Sequence, residues 1–161
     1  MRFIKNGPEV PDRLVESHED GKVVFFCGAG ISYPAGLPGF EGLTRRLFED
    51  LGEDLNSVEK TAFEEKRFDV AIDLLERRIR NRPMVREKIQ AILTPSDLTN
   101  PASTNTHRAI LTLGRSKDNF LRVVTTNFDR IFLEVAPSLI PYAAPLLPIP
   151  KKSRWNGLVH L

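Results

Sequence analysis

The chain has 161 residues, 41% hydrophobic and 27% charged, a size and balance that suit a single globular domain with a real core. Lys and Arg number 23 against 21 Asp and Glu, so the net charge of +2 gives no electrostatic case for direct nucleic-acid binding. One cysteine, Cys27, leaves no internal disulfide and no cysteine-rich zinc site, and no apolar run approaches the roughly 18 residues of a membrane helix.

The opening "MRFIKNGPEV" is too short and polar for a signal peptide, and the expected location is the cytoplasm. Residues 1–20 read as a polar arm or a short helix around "DRLVESHED". "KVVFFC" (22–27) is a continuous apolar, β-branched run, expected to be a strand buried on both faces as in a parallel sheet. After a glycine-rich stretch, Leu43, Leu47, Phe48 and Leu51 fall at helical spacing, and Gly52 ends that helix. In "RFDVAIDLLERRIR" one buried face is marked by Phe68, Ala71, Ile72, Leu75 and Ile79, and "MVREKIQAIL" is a further helix before Pro95. The Arg, Lys and Glu residues opposite these faces are expected to be a solvated surface. A loop, "TPSDLTNPAST", leads into a helix carrying "THRAILTL".

A second strand is expected from Phe120 to Thr125, followed by Thr126, Asn127 and a helix marked by Ile131, Phe132 and Val135. Two strand-to-helix transitions separated by a crossover predict an α/β fold with parallel strands. Five prolines between Pro137 and Pro150 predict an extended, non-sheet connection able to lie over a ligand. The chain closes on "GLVHL" (157–161), the start of a third strand, so the domain is expected to be cut short at its C-terminus. His18 is expected at the surface and His107 in packing.

"GAGISYPAGLPGF" (28–40) sits where an open α/β sheet binds phosphates: glycines allow backbone N–H groups close to a pyrophosphate, and a helix N-terminus adds partial positive charge. Gly28, Ala29 and Gly30 would form that turn. Ser32 has two roles open to it, as a helix cap or as a phosphate contact. The short GxG pattern is weak by itself, because Tyr33 occupies the position of the usual third glycine. A plain structural turn remains the competing reading at this level.

The longer pattern resembles the signature of the sirtuin family, and "TTNFD" (125–129) resembles that family's second motif, with Glu134 at the spacing of its bacterial branch. "LVHL" is similar to the strand leading into the family's histidine-glycine motif, and His107 falls where that branch often has a histidine. The resemblance covers about residues 22–161. Gly39, Phe40 and Glu41 depart from the aspartate-phenylalanine-arginine of protein deacylases, and the four-cysteine zinc module is missing. "GLPGFEGLTRRLFEDL" is more similar to bacterial sirtuin-like proteins of antiphage defence, which hydrolyse NAD+.

That resemblance implies a Rossmann-like open parallel sheet forming one domain over 1–161, with a helical insertion at 53–115 between the two motifs and a proline-rich loop at 137–156. It implies NAD+ as substrate or ligand and no zinc. Gly28, Ala29, Gly30, Ser32 and Gly36 would take the pyrophosphate side, Phe40 would pack over the nicotinamide side, and Thr126 would contact the adenosine ribose. Asn127 would position the ribose or the attacking water. Asp129 would either face the nicotinamide pocket or cap the following helix. The family's catalytic histidine would come after Leu161, leaving His160, one pleat behind, as the base within the chain. Expected partners are a second copy of the chain or a sensor or effector, with no membrane. The alternatives are a protein deacylase or ADP-ribosyltransferase, and a non-catalytic module that senses NAD+ or ADP-ribose.

Overall fold

A computed structural model describes residues 1–149, 151 and 155–161. The chain falls into two compact units, each assembled from separate stretches: 1–28, 105–127 and 132–161 form one, and 29–104 with 128–131 form the other.

The first unit holds the sheet. Helix α1 (Asp12–Glu19) precedes strand β1 (Phe25–Cys27), and β2 (Arg122–Thr125), β3 (Pro141–Ala143) and β4 (Gly157–His160) complete a four-stranded, all-parallel sheet of order β1-β2-β4-β3. An α/β architecture with parallel strands is therefore present. Its centre is apolar: Leu121, Val123 and Leu158 are essentially buried, each stabilising the fold by about 1.5–3 kcal/mol over an exposed position. Helix α6 (Pro101–Leu113) ends at Gly114, where an added Cβ would come within 2.8 Å of the Val123 side chain, so glycine lets the helix end approach β2. At the start of β2, Arg122 is only 4% exposed; its Nη1 donates to the Gly21 carbonyl at 2.8 Å, tying the segment before β1 to the sheet.

Three expectations about this unit are corrected. Strand β1 covers Phe25–Cys27 and not the whole of 22–27, and it is not buried on both faces: Phe26 is 67% exposed. The sheet face that carries the Phe26 ring is open to solvent there, and β1 is also an edge strand. Within the stretch expected to be extended and outside the sheet, Pro141–Ala143 pairs in parallel with β4. Proline is tolerated there because it opens an edge strand, where its missing N–H removes no ladder bond. Pro150 and residues 152–154 of the same stretch lie outside the described residues. His18 is half-buried, with its Nε2 2.6 Å from the Leu113 carbonyl oxygen, which ties α1 to the end of α6. His107 packs as expected, fully buried with its ring edge-on to Phe132.

The second unit is helical: a 3-10 turn (Ala29–Ala35), α2 (Phe40–Leu51), α3 (Ser57–Glu64), α4 (Phe68–Ile79) and α5 (Arg82–Ile92). Its core joins Leu47 and Phe48 of α2, Leu75 of α4 and Val85 of α5, with Leu51, Ile72, Ile79 and Ile89 packed around them. Leu47, Phe48, Leu51, Ile72, Leu75 and Ile79 are among the residues that helical spacing selects from the sequence, whereas Val85 and Ile89 are placed in the core by the structure. Helix α2 stops at Gly52, whose φ of +66° lets its N–H reach the Glu49 carbonyl while Glu53 N–H reaches Phe48, the paired bonds of a left-handed helix ending.

Helix α3 carries a capping box. The Asn56 side chain accepts from the Val58 and Glu59 amides, and Glu59 reaches back to the Asn56 N–H. The charged surface expected in this region is therefore interrupted: Glu59 is fully buried, and Arg78 donates to it through Nε at 2.9 Å while also pairing with Glu53. The bond to Glu59 raises the Arg78 guanidinium pKa further.

Replacing Arg78 by Met leaves Glu59 buried without its cation, with an expected loss of about 2–3 kcal/mol in denaturant unfolding. Gly52→Ala is expected to cost about 1–2 kcal/mol, because alanine resists the left-handed backbone. Midpoints unchanged from the parent in these variants would contradict the two assignments.

Candidate functional site

Parallel pairing puts the carboxyl ends of the strands in one row. Cys27 of β1 is in register with Thr125 of β2, Thr125 with His160 of β4, and His160 with Ala143 of β3. The residues that follow therefore leave the sheet at one edge, the place where open α/β sheets present loops to ligands. Pairing continues a step beyond the strands: Thr126 N–H donates to the Cys27 carbonyl at 3.1 Å, and Leu161 N–H donates to Thr125 at 3.0 Å. The Thr125 hydroxyl then accepts from the Asn127 amide at 3.0 Å, bending the chain so that Thr126 is exposed and Asn127 is buried.

His160 stands at the end of β4. Its Nε2 is shielded from solvent and hydrogen-bonds to no described residue. A buried ring nitrogen in that state loses its hydration without replacement, so it is a ready partner for a donor or acceptor brought by a ligand. On β1, Cys27 is buried, and burial pushes its thiol pKa up. At Gly28, which follows, an added Cβ would meet nothing within 4 Å.

In the helical unit, Gly30 has the same open space at its α-carbon. The 3-10 turn closes through Gly36 N–H to the Tyr33 carbonyl and Leu37 N–H to Ser32. Gly36 has φ +77° and lines a shallow cavity of about 420 Å³ with Leu37, Arg46, Asp50, Ile92 and Thr94. Ser32 does not cap α2, which begins after Gly39 with no side-chain cap. Its hydroxyl instead donates to Asp129 Oδ2 at 2.7 Å, and Asp129 Oδ1 accepts from the Ile131 amide at the start of α7 (Ile131–Val135). Of the two roles open to Asp129, the structure contains the contact at the helix start. Phe40, at the beginning of α2, is 39% exposed and packs on Phe68 and Phe128.

Two features escaped the sequence. Ser32 and Asp129 are 97 positions apart, and no spacing rule links them. Phe128, 69% exposed, sits inside the second motif between two residues given roles, and the sequence reading assigns it none. The signal available was its type: a large aromatic between two polar residues at a strand end.

Among the described residues no group of three or more His, Cys, Asp or Glu is arranged to hold a metal ion, and no helix is long and apolar enough to cross a membrane. The chain is similar to the uncharacterized protein y4cA of Sinorhizobium fredii, 35% identical over 170 residues covering 99% of this chain. It spans only 14% of that protein's length. No family model matches the chain, and no solved structure matches it.

The burial of Cys27 sets a pH dependence. Because its thiol pKa is raised in the folded state, its contribution to stability is fully present below the ordinary thiol pKa and is lost as pH rises through the raised value. At pH 8 its alkylation by iodoacetamide is expected to run at least about tenfold slower than that of a free thiol, reaching the free rate only on unfolding. Fast labelling of folded protein would overturn this placement.

Proposed function

We propose that this chain is the nucleotide-binding part of a sirtuin-like NAD+ hydrolase acting in bacterial antiphage defence. The observation that carries the reading is the row of strand ends, which brings Gly28, Thr126, Asn127 and His160 to one edge of a parallel sheet. The sequence resemblance gives that edge its chemistry. At Gly28, and separately at Gly30, the space a side chain would take is open, which leaves each backbone accessible to phosphate oxygens and supports the reading. Cys27 is the single cysteine, so the deacylase zinc module has no counterpart in this chain.

In the proposed reaction the bond between the nicotinamide nitrogen and ribose C1′ breaks with its electron pair going to the ring nitrogen, and water adds at C1′ and releases a proton. Asn127 has the task of orienting, since a buried amide can donate and accept at once and can hold a ribose hydroxyl or the water at fixed distance. In this reading His160 Nε2, buried and hydrogen-bonded to no described residue, takes the proton. Thr126 serves the adenosine ribose, and Ser32 braces Asp129. The helices between the two motifs are the family-like insertion in this reading. Oligomerisation, or a sensor or effector partner, would control the activity of the whole protein.

The test is incubation of the full-length protein with NAD+ and measurement of free nicotinamide, in the resting state and during phage infection. Release is expected, with Asn127→Ala lowering kcat/KM by about 100-fold or more and His160→Gln by about tenfold or more. Absence of nicotinamide release under both conditions would rule out the hydrolase. Nucleotide binding without turnover would assign the chain to a sensing role instead.

A further inference from the structure

On α2 a pair of opposite charges stays open at a spacing that elsewhere in the helical unit closes. Arg46 and Asp50 lie one turn apart and are both exposed, and neither forms an ion pair among the described residues. At the same spacing Glu41 and Arg45 meet at 3.1 Å on the same helix, and Asp73 and Arg77 meet at 2.8 Å on α4. The order of the charges is not the reason, because Lys60 and Glu64, which also place the cation first, come within 3.9 Å. Arg46 and Asp50 both line the cavity of about 420 Å³ beside Gly36.

The rest of that lining is small and largely apolar. Ala35 and Leu37 are nearly buried, and Ile92 comes from the last turn of α5. Gly36, held at φ +77°, contributes no side chain. The Thr94 hydroxyl is already committed to the Gln90 carbonyl at 2.7 Å. All the lining residues belong to the helical unit, so the cavity is formed within one compact body. Neither histidine nor cysteine is among them, which makes the chemistry of the cavity one of binding and not of proton transfer near neutral pH.

The two charges call for different partners. A guanidinium holds a carboxylate through two parallel N–H···O bonds, and a carboxylate holds an ammonium. An anion alone would leave Asp50 unsatisfied and beside a like charge. We propose that this cavity is a binding site for a small zwitterion with a short apolar body, of the α-amino acid class, its carboxylate on Arg46, its ammonium on Asp50 and its hydrocarbon against Leu37 and Ile92. None of these residues stands at the strand ends, and the inference does not rest on the nucleotide reading.

The experiment is ligand-observed NMR titration of the full-length protein with L-leucine, with L-leucinamide, which lacks the carboxylate, and with 4-methylpentanoate, which lacks the amine, at a pH where the leucinamide amine is protonated. The parent protein is expected to bind L-leucine at least about threefold more tightly than either analogue, since each analogue forfeits one exposed charge pair. Arg46→Gln is expected to weaken L-leucine at least about threefold and to leave L-leucinamide within about twofold. Asp50→Asn is expected to weaken L-leucine to the same extent and to leave 4-methylpentanoate within about twofold. Both positions are exposed, so the variants are expected to keep the parent's unfolding midpoint. Equal binding of the three compounds, L-leucine binding unchanged in either variant, or equal weakening of all three by one substitution would overturn the proposal. So would a parent protein that does not bind L-leucine.

Discussion

The in-register pairing of β1, β2 and β4 is the constraint on which the candidate site depends. Because the strands run parallel, Cys27, Thr125 and His160 stand side by side, and everything that follows them leaves from one edge. A slip of one residue between β1 and β2 would turn Cys27 and Thr125 to opposite faces and separate Gly28 from Asn127. The register is fixed by burial: Val123 and Leu158 are fully enclosed, and their strands cannot slide without exposing them.

The helical unit is held by a different balance. Its core is an ordinary set of Leu, Ile, Val and Phe side chains on three helices, and α3 adds polar contacts at its start to the apolar packing of Ala62 and Phe63. Glu59 satisfies the amide of Asn56 and receives Arg78, so one buried carboxylate joins a helix start to α4. Such an arrangement is costly to break from either side, since each partner would leave the other desolvated and unpaired. Asp129 makes an instructive contrast in the same unit. It too is buried, but its hydrogen bonds come from a hydroxyl and an amide, and it forms no ion pair among the described residues.

Much of the helical architecture was legible, because an apolar stripe at i, i+3, i+4 and i+7 has one physical explanation, and Leu47, Phe48 and Leu75 are buried, with Ile79 partly buried against them, as that stripe requires. The edge character of β1 was not. An apolar run such as "VVFF" reads the same at the centre or the edge of a sheet, since strand order depends on pairing partners about a hundred residues away. The strand at Pro141–Ala143 was hidden for a related reason: prolines signal irregular chain, and only the partner β4 makes the exception possible. The capping box at Asn56 was readable in principle as an Asn with a Glu three residues on, but the short α3 carries too few apolar residues for its periodicity to stand out.

By itself, the sequence determined the local events: a glycine-rich turn after an apolar run, a left-handed helix stop at Gly52, and a polar TTN segment at the end of a second strand. These follow from backbone sterics and from hydrogen bonding between near neighbours, which act over a few residues. Tertiary structure alone decided which groups meet: Ser32 with Asp129, Arg78 with Glu59, and Phe128 with Phe40. Such meetings depend on where a whole chain folds back on itself, through contacts that carry no local pattern in the residues that make them.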